Sequence, residues 1–312
     1  LSDVFTTVAT GFSNPNALYY DVANNDMYIA EAGSQILLLD LDTMGQTVLA
    51  QGYNTSQAVV QTTSGVVYFT DYSGDVFVIN PTDTLPLDAI SNPATVLAPG
   101  VAPSTDGGLV MNASGTFLYV ADYAQGKVFK VSTAAGSVTE LVDFSDFAAR
   151  GLTLSPDGGT LYITGYLSDE IVAYDLINDT ATLFADISST GGLLDGPFGM
   201  VISTNDYPPF DGGAEETGEI STGDLPVDTS TLPAGYFLYV ANEGDGGGGT
   251  TVVQIADDGT ATVVGTGFNG PSGLAESPTP LLYVSDDNNG LYTQSLSDVF
   301  TTVATGFSNP NA

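Results

Sequence analysis

The side chains able to do chemistry in this chain are almost all oxygen donors: its 312 residues include no Cys and no His, and 37 acids face 3 basic residues. Glu31, Asp71, Asp122, Asn242 and Asp286 each close a short apolar run built on a tyrosine (DMYIAE, VVYFTD, FLYVAD, FLYVAN and LLYVSD), and Gly165 holds the same place in TLYITG. A position repeated in this way sets carboxylates and amides in a ring on one face. Two readings are open. Glu31, Asp71, Asp122 and Asp286, or alternatively Asn14, Asn16 and Asn269, hold a hard cation such as Ca2+ through oxygen. Otherwise each side chain satisfies the N–H groups of its own turn. Neither reading requires a further cofactor. Arg150, the sole arginine, directly precedes the run GLTLS and is expected to make a structural ion pair near the molecular axis, with ligand recognition as the sharper alternative. Lys127 and Lys130 are too isolated to form a basic patch and are expected to pair with a neighbouring acid or to touch an acidic neighbour.

Composition removes several function classes. A formal net charge of -34 repels nucleic acid and anionic membranes. Without Cys or His there is no thiolate nucleophile, imidazole base, Cys-based zinc site or disulfide framework. No apolar run reaches the roughly 20 residues that cross a bilayer. A hydrophobic content of 43% with 10% aromatics is nevertheless enough to fill a core, so the acidity is not that of a disordered chain. The chain begins at Leu1, which suggests a processed product or a section of something longer, and its acidic, cysteine-free make-up suits an extracellular or cell-surface setting.

The elements that position the ring follow from a repeat. The tyrosines Tyr28, Tyr68, Tyr119, Tyr162, Tyr239 and Tyr283 mark six units at steps of 40, 51, 43, 77 and 44 residues. Each unit divides into short runs rich in β-branched and aromatic residues, bounded by Gly, Pro, Asn and Asp. Unit one reads ALYYDV, DMYIAE, QILLLDL and TVLAQG, and unit four reads GLTLS, TLYITG, EIVAYDL and ATLFAD. Four strands per unit at this period predict an all-β, six-bladed β-propeller with four-stranded antiparallel blades. First strands such as 151–154, 198–202 and 272–275 are expected to line the central channel, where glycine and small residues fit the crowding. The oversized step belongs to unit five, where residues 203–235 read as a loop insertion between the first and second strands. The run GDGGGGTT from Gly244 lacks the lysine of a phosphate loop and reads as a hairpin loop. Sequons at Asn54, Asn112 and Asn178 would permit N-glycosylation in a secretory setting.

Residues 1–17 and 296–312 are identical, LSDVFTTVATGFSNPNA, so residues 1–295 look like one period and 296–312 like the start of the next copy or a connecting strand. Unit six supplies three strands, and two identical segments compete to be its fourth: Val4, Phe5, Thr6, Thr7, Val8 and Ala9, or Val299, Phe300, Thr301, Thr302, Val303 and Ala304. The unused copy would be an exposed strand able to add to another sheet edge.

The pieces SGTFLYVADYAQGKVFKV at 114–131, SPDGGTLYITGYLSDEIVAYDL at 155–176 and NPNALYYDVANNDMYIAEAGSQILLLDL at 14–41 resemble the broad superfamily of NHL, YVTN and lactonase or gluconolactonase-like six-bladed propellers. The resemblance spans nearly the whole chain except the insertion. It implies the six-bladed fold and, in the lactonase members, one divalent cation held in the channel by carboxylate and asparagine with a carboxylate as base. No stretch here matches such a site residue by residue, and His bases of some lactonase propellers are absent. The expectation is therefore a non-catalytic, tandemly repeated structural propeller of an extracellular filament, stalk, adhesin or surface layer, with copies of itself as partners and no nucleic acid or membrane insertion. The alternatives are a solitary secreted propeller binding a carbohydrate or small ligand at the channel mouth, or a calcium-dependent lactonase-like enzyme.

Overall fold

The structure, a computed structural model, describes residues 6–32, 35–61, 64–102, 107–144, 147–207, 231–244, 249–286 and 290–295. Six antiparallel sheets succeed one another along the chain, one for each predicted unit. In blade four, strands Ala149–Leu154, Thr160–Gly165, Glu170–Asp175 and Thr180–Asp186 pair in chain order from the axis outward. Blade one departs from four strands, because the short segment Leu87–Asp88 adds in parallel to its outer strand Gln46–Gln51. No described helix is long and apolar enough to cross a membrane.

The tyrosine-centred runs become the second strands because both of their faces are covered. Phe117–Asp122, for example, is buried at every position but its first. Each blade lays one face against the next, and the apolar side chains between them form separate inter-blade clusters. Tyr68, Val76 and Leu118 fill one of these, between blades two and three. Burying such faces on both sides is what a lone four-stranded sheet cannot do, and it makes the ring the stable form.

Near the axis the inner strands come closer than side chains permit. A Cβ on Gly151 would lie 1.8 Å from the Phe198 carbonyl oxygen, and one on Gly199 would lie 2.0 Å from that of Ser272. Buried hydroxyls stitch the same seam. Thr164 Oγ1 accepts from Gly151 N at 2.7 Å and donates to Phe198 O in the next blade at 3.1 Å. Ser272 Oγ donates to Pro15 O at 3.0 Å, joining blade six to blade one.

In blade five, residues 204–236 separate the first and second strands, Pro197–Ser203 and Phe237–Asn242, and Ser203 closes the first strand. The described root of this insertion, residues 204–207, is tied to blade six through Glu276 Oε1, which accepts from Ser203 Oγ at 2.6 Å, Asn205 Nδ2 at 2.8 Å and Tyr207 OH at 2.9 Å. Burial against these carboxylate and phenol neighbours holds the Tyr207 hydroxyl far above the ordinary phenol range. Residues 208–230 lie outside the described residues.

The fourth strand of blade six is the N-terminal copy. Thr6–Thr10 pairs antiparallel with Gly290–Ser295, Thr6 opposite Thr293 and Thr10 opposite Gly290, and then leads through buried Phe12 into the first strand of blade one. Of the proposed connecting residues, Thr6, Thr7, Val8 and Ala9 belong to this strand, whereas Val4, Phe5 and the whole copy Val299, Phe300, Thr301, Thr302, Val303 and Ala304 lie outside the described residues. A chain of residues 1–295 should melt with the full-length protein, and a chain of residues 11–295, with neither copy, at least about 5 °C lower, as scanning calorimetry would read.

Candidate functional site

The second strands all end on one face, and there the ring read from the sequence is found. Glu31, Asp71, Asp122, Gly165, Asn242 and Asp286 are the last residues of those strands in the six blades. Five of the six first strands bulge next to this level, all but Leu109–Met111 of blade three: Pro15 pairs with Glu31 but Ala17 with Ala30, and Pro271 pairs with Asp286 but Leu274 with Val284. A bulge re-aims the extra residue, and it brings Asn16, Phe198 and Ser272 to the wall of the central channel. That channel is narrow. Its cavity is ≈ 70 Å³, walled by Leu109, Leu152, Met200 and Leu274 together with backbone of Gly108, Gly151, Gly199 and Gly273. At roughly 30 Å³ per water it holds about two waters, so any larger ligand must sit at the mouth.

The ring acids are buried, and they serve the turns around them. Glu31 accepts from Ser13 N at 2.7 Å and Gln35 Nε2 at 2.8 Å, and Asp286 accepts from Asn269 N at 3.3 Å. Asn242 accepts from Asp195 N at 3.5 Å and donates to Leu193 O at 2.6 Å. In blades one, five and six the clamped N–H lies two residues before the proline that opens the inner strand, so one device fixes Pro15, Pro197 and Pro271. Asp71 accepts from the N–H of Ser73 at 2.9 Å and from its hydroxyl. Gly165 lacks a side chain because the Phe147 ring stands there: a Cβ would meet its Cε2 at 2.5 Å. Among the described residues no three Asp, Glu, His or Cys gather closely enough to hold an ion. Asn16 faces the channel, Asn14 adopts φ 54° with its carbonyl accepting from Ala32 N, and Asn269 is clamped by Asp286.

Asp122 stands apart within the ring. It is 0% exposed, its Oδ1 accepts from Gln125 N at 3.1 Å, and its Oδ2 has no partner among the described residues. Desolvation raises its pKa above the ordinary carboxyl value, and the same cause raises that of Asp71.

Arg150 is the second distinctive group. It lies in the bulge of blade four, 6% exposed, and its guanidinium pairs with Glu243 of blade five. Three rings surround it, Phe198 at 3.9 Å, Tyr166 at 4.3 Å and Tyr123 at 5.5 Å from ring centroid to guanidinium carbon. Tyr166 OH donates in turn to Gly244 O at 2.5 Å. The ion pair expected of Arg150 is present, and three aromatic rings surround it next to the channel-lining Gly151. The sequence reading missed Glu243, Tyr123, Tyr166 and Phe198. A signal for two of them was available, since Tyr123 and Tyr166, like Tyr72, directly follow ring positions.

The remaining singled-out residues lie away from the mouth. Lys127 pairs with Glu140 at 2.9 Å and Asp143 at 3.2 Å, as expected of it. Lys130 lies over the Phe117 ring at 4.1 Å. Asn54 and Asn178 are exposed, while the Asn112 amide folds back on its own turn, accepting from Thr116 N and Phe117 N.

No protein-family model matches the chain, and no curated protein does. Solved structures match it well. An auxiliary nutrient binding protein from Bacteroides thetaiotaomicron superposes over 93% of this chain and 75% of its own, at 16% identity and TM-score 0.66. A gluconolactonase from Xanthomonas campestris covers 93% and 89% at 13% identity and TM-score 0.64, and a streptogramin B lyase covers 93% and 95% at 13% identity and TM-score 0.58. The six-bladed propeller fold is theirs too. The resemblance read from the sequence holds at that level.

Two expectations are corrected by this finding. The filament, stalk, adhesin or surface-layer repeat, with its cell-adhesion and structural roles, gives way, because chains that share the fold over almost the full length are named as nutrient-binding proteins, a gluconolactonase and lyases. Thr6–Thr10 fills the one open place in blade six, and the second copy, 296–312, lies outside the described residues. The expectation of no catalysis is corrected likewise, since the fold is shared with chains named for catalysis.

The state of Asp122 has a measurable consequence. Its folded pKa is raised, so above the ordinary carboxyl value the folded state binds the proton more tightly than the unfolded state, and stability falls as pH rises through that window. Asp122→Asn should therefore raise the melting temperature at pH 7, with the gain vanishing by about pH 3, in melts followed by circular dichroism.

Proposed function

We propose that this chain is a ligand-binding propeller that receives a small, neutral, polyhydroxylated molecule of the carbohydrate class at the channel mouth. The observation that carries the reading is the buried Arg150, held in place by Glu243 and walled by Tyr123, Tyr166 and Phe198. Aromatic faces beside fixed polar groups are what a sugar ring requires. Glu243 cancels the guanidinium charge, so a neutral ligand fits best there. The nutrient-binding proteins that share the fold support this reading, and an extracellular or cell-surface location accords with it. Titration calorimetry against neutral mono- and disaccharides should find saturable binding that weakens at least about tenfold in Phe198→Ala and Tyr123→Ala. Absence of binding across the panel, or binding indifferent to both substitutions, would overturn the proposal.

A catalytic reading of the same mouth is favoured by one observation, the buried Asp122 with its raised proton affinity and unpartnered Oδ2. Such a carboxyl is suited to moving a proton during ring opening of a lactone. If so, lactone hydrolysis by the protein, followed by acid release, should fall at least about a hundredfold in Asp122→Asn while saccharide binding persists. Equal rates in the two proteins would remove this reading.

A further inference from the structure

A second cavity lies on the outer rim, lined by none of the residues of the channel. Between the outer strand of blade three, Val138–Asp143, and the third and fourth strands of blade four runs a groove of ≈ 720 Å³. That is ten times the channel and within the ~300–1,000 Å³ typical of small-molecule sites. Phe117, Lys130, Glu140, Asp143, Tyr174 and Asp179 are among its lining residues. Tyr174 OH lies 3.2 Å from both Leu141 O and Asp179 Oδ1 and shares its one proton between them, linking the two walls.

Charge makes this groove unlike the rest of the surface. Both lysines of the chain belong to the one strand that feeds it, Lys127–Ser132. Lys127 bridges Glu140 and Asp143 of the lining and offsets one of their two charges. Lys130 is half-buried over Phe117, and among the described residues its ammonium makes no hydrogen bond and no ion pair, in a chain with 37 acids to choose from. A half-buried cation left without a carboxylate, in a groove whose acids are already engaged by Lys127 or Tyr174, is arranged to meet an anionic group brought from outside. The hydroxyls of Ser132, Ser137 and Thr139 along the same lining suit a partner rich in hydroxyl groups.

We infer that this outer groove between blades three and four is a second binding site, for a short saccharide of the uronic-acid type, with Lys130 receiving one carboxylate. The inference is independent of the ligand at the mouth. It is tested with digalacturonic acid as probe and neutral galactobiose as control, by titration calorimetry on the full chain. The expected result is saturable binding of the acidic disaccharide, weaker by on the order of tenfold or more in Lys130→Met and for galactobiose, recovered in Lys130→Arg, and unchanged in Phe198→Ala. In the unsubstituted protein, amide chemical-shift changes on adding digalacturonic acid should centre on residues 117, 130, 139–143 and 179. No binding, equal binding of the neutral disaccharide, equal binding by Lys130→Met, or shift changes centred on the mouth would each overturn it.

Discussion

The close approach of the inner strands at the axis governs everything else in this molecule. Between blades four, five and six the backbone of one first strand lies where the next would otherwise carry a Cβ, so Gly151 and Gly199 are fixed by contact. Gly108 obeys the same rule against Arg150, its N–H donating to the arginine carbonyl. That approach leaves a channel with room for about two waters and excludes a buried ligand site of the kind that wider barrels offer. The distinctive polar and aromatic groups stand at the ends of the strands. There the bulges that let the strands pack so tightly also turn Asn16, Arg150, Phe198 and Ser272 from their regular places.

How much of this could be read from the sequence depends on whether a feature repeats. The tyrosine-centred second strands recur six times, and their buried pattern is nearly the same in every blade, so fold, strand order and the level of the ring acids were all legible. The insertion was legible as the one break in the rhythm. What escaped was the content of single, non-repeating contacts. Glu243 reaches Arg150 across 93 residues and one blade boundary, and no local pattern announces that. The role of the ring acids was open between cation and turn, and the structure shows the N–H groups that several of them hold. Some of those groups sit in the loops that enter the inner strands, such as Ser13 and Asn269, which a strand-by-strand reading treats as spacers.

The duplicated end illustrates how a sequence feature can be real and its meaning still depend on topology. Identical segments at residues 1–17 and 296–312 invite the idea of beads on a string. In the ring, however, the N-terminal segment performs an ordinary task. It supplies an outer strand to blade six and then passes through Phe12 to an inner strand of blade one, as Ala261–Thr266 passes through Phe268 to the first strand of blade six. The closure is thus the same inter-blade step used elsewhere, made by residues far apart in the chain.

In a protein this acidic, the basic residues carry more information than the acids. A surface carboxylate needs no partner but water, so the place of any one of 37 says little. Each cation, by contrast, experiences attraction from many sides, and where it comes to rest reflects a specific local requirement. Lys127 rests between two acids and behaves as bulk electrostatics would have it. Arg150 has given up water for one carboxylate and three rings, which makes the mouth rigid at the point where the inner strand bulges. Lys130, on the same strand as Lys127 and with Glu140 and Asp143 within the same groove, has no carboxylate and lies over an aromatic ring. Composition cannot account for that difference between two lysines three residues apart. Their opposite treatment is a property of the strand's geometry, in which residues three apart point to opposite faces of the sheet.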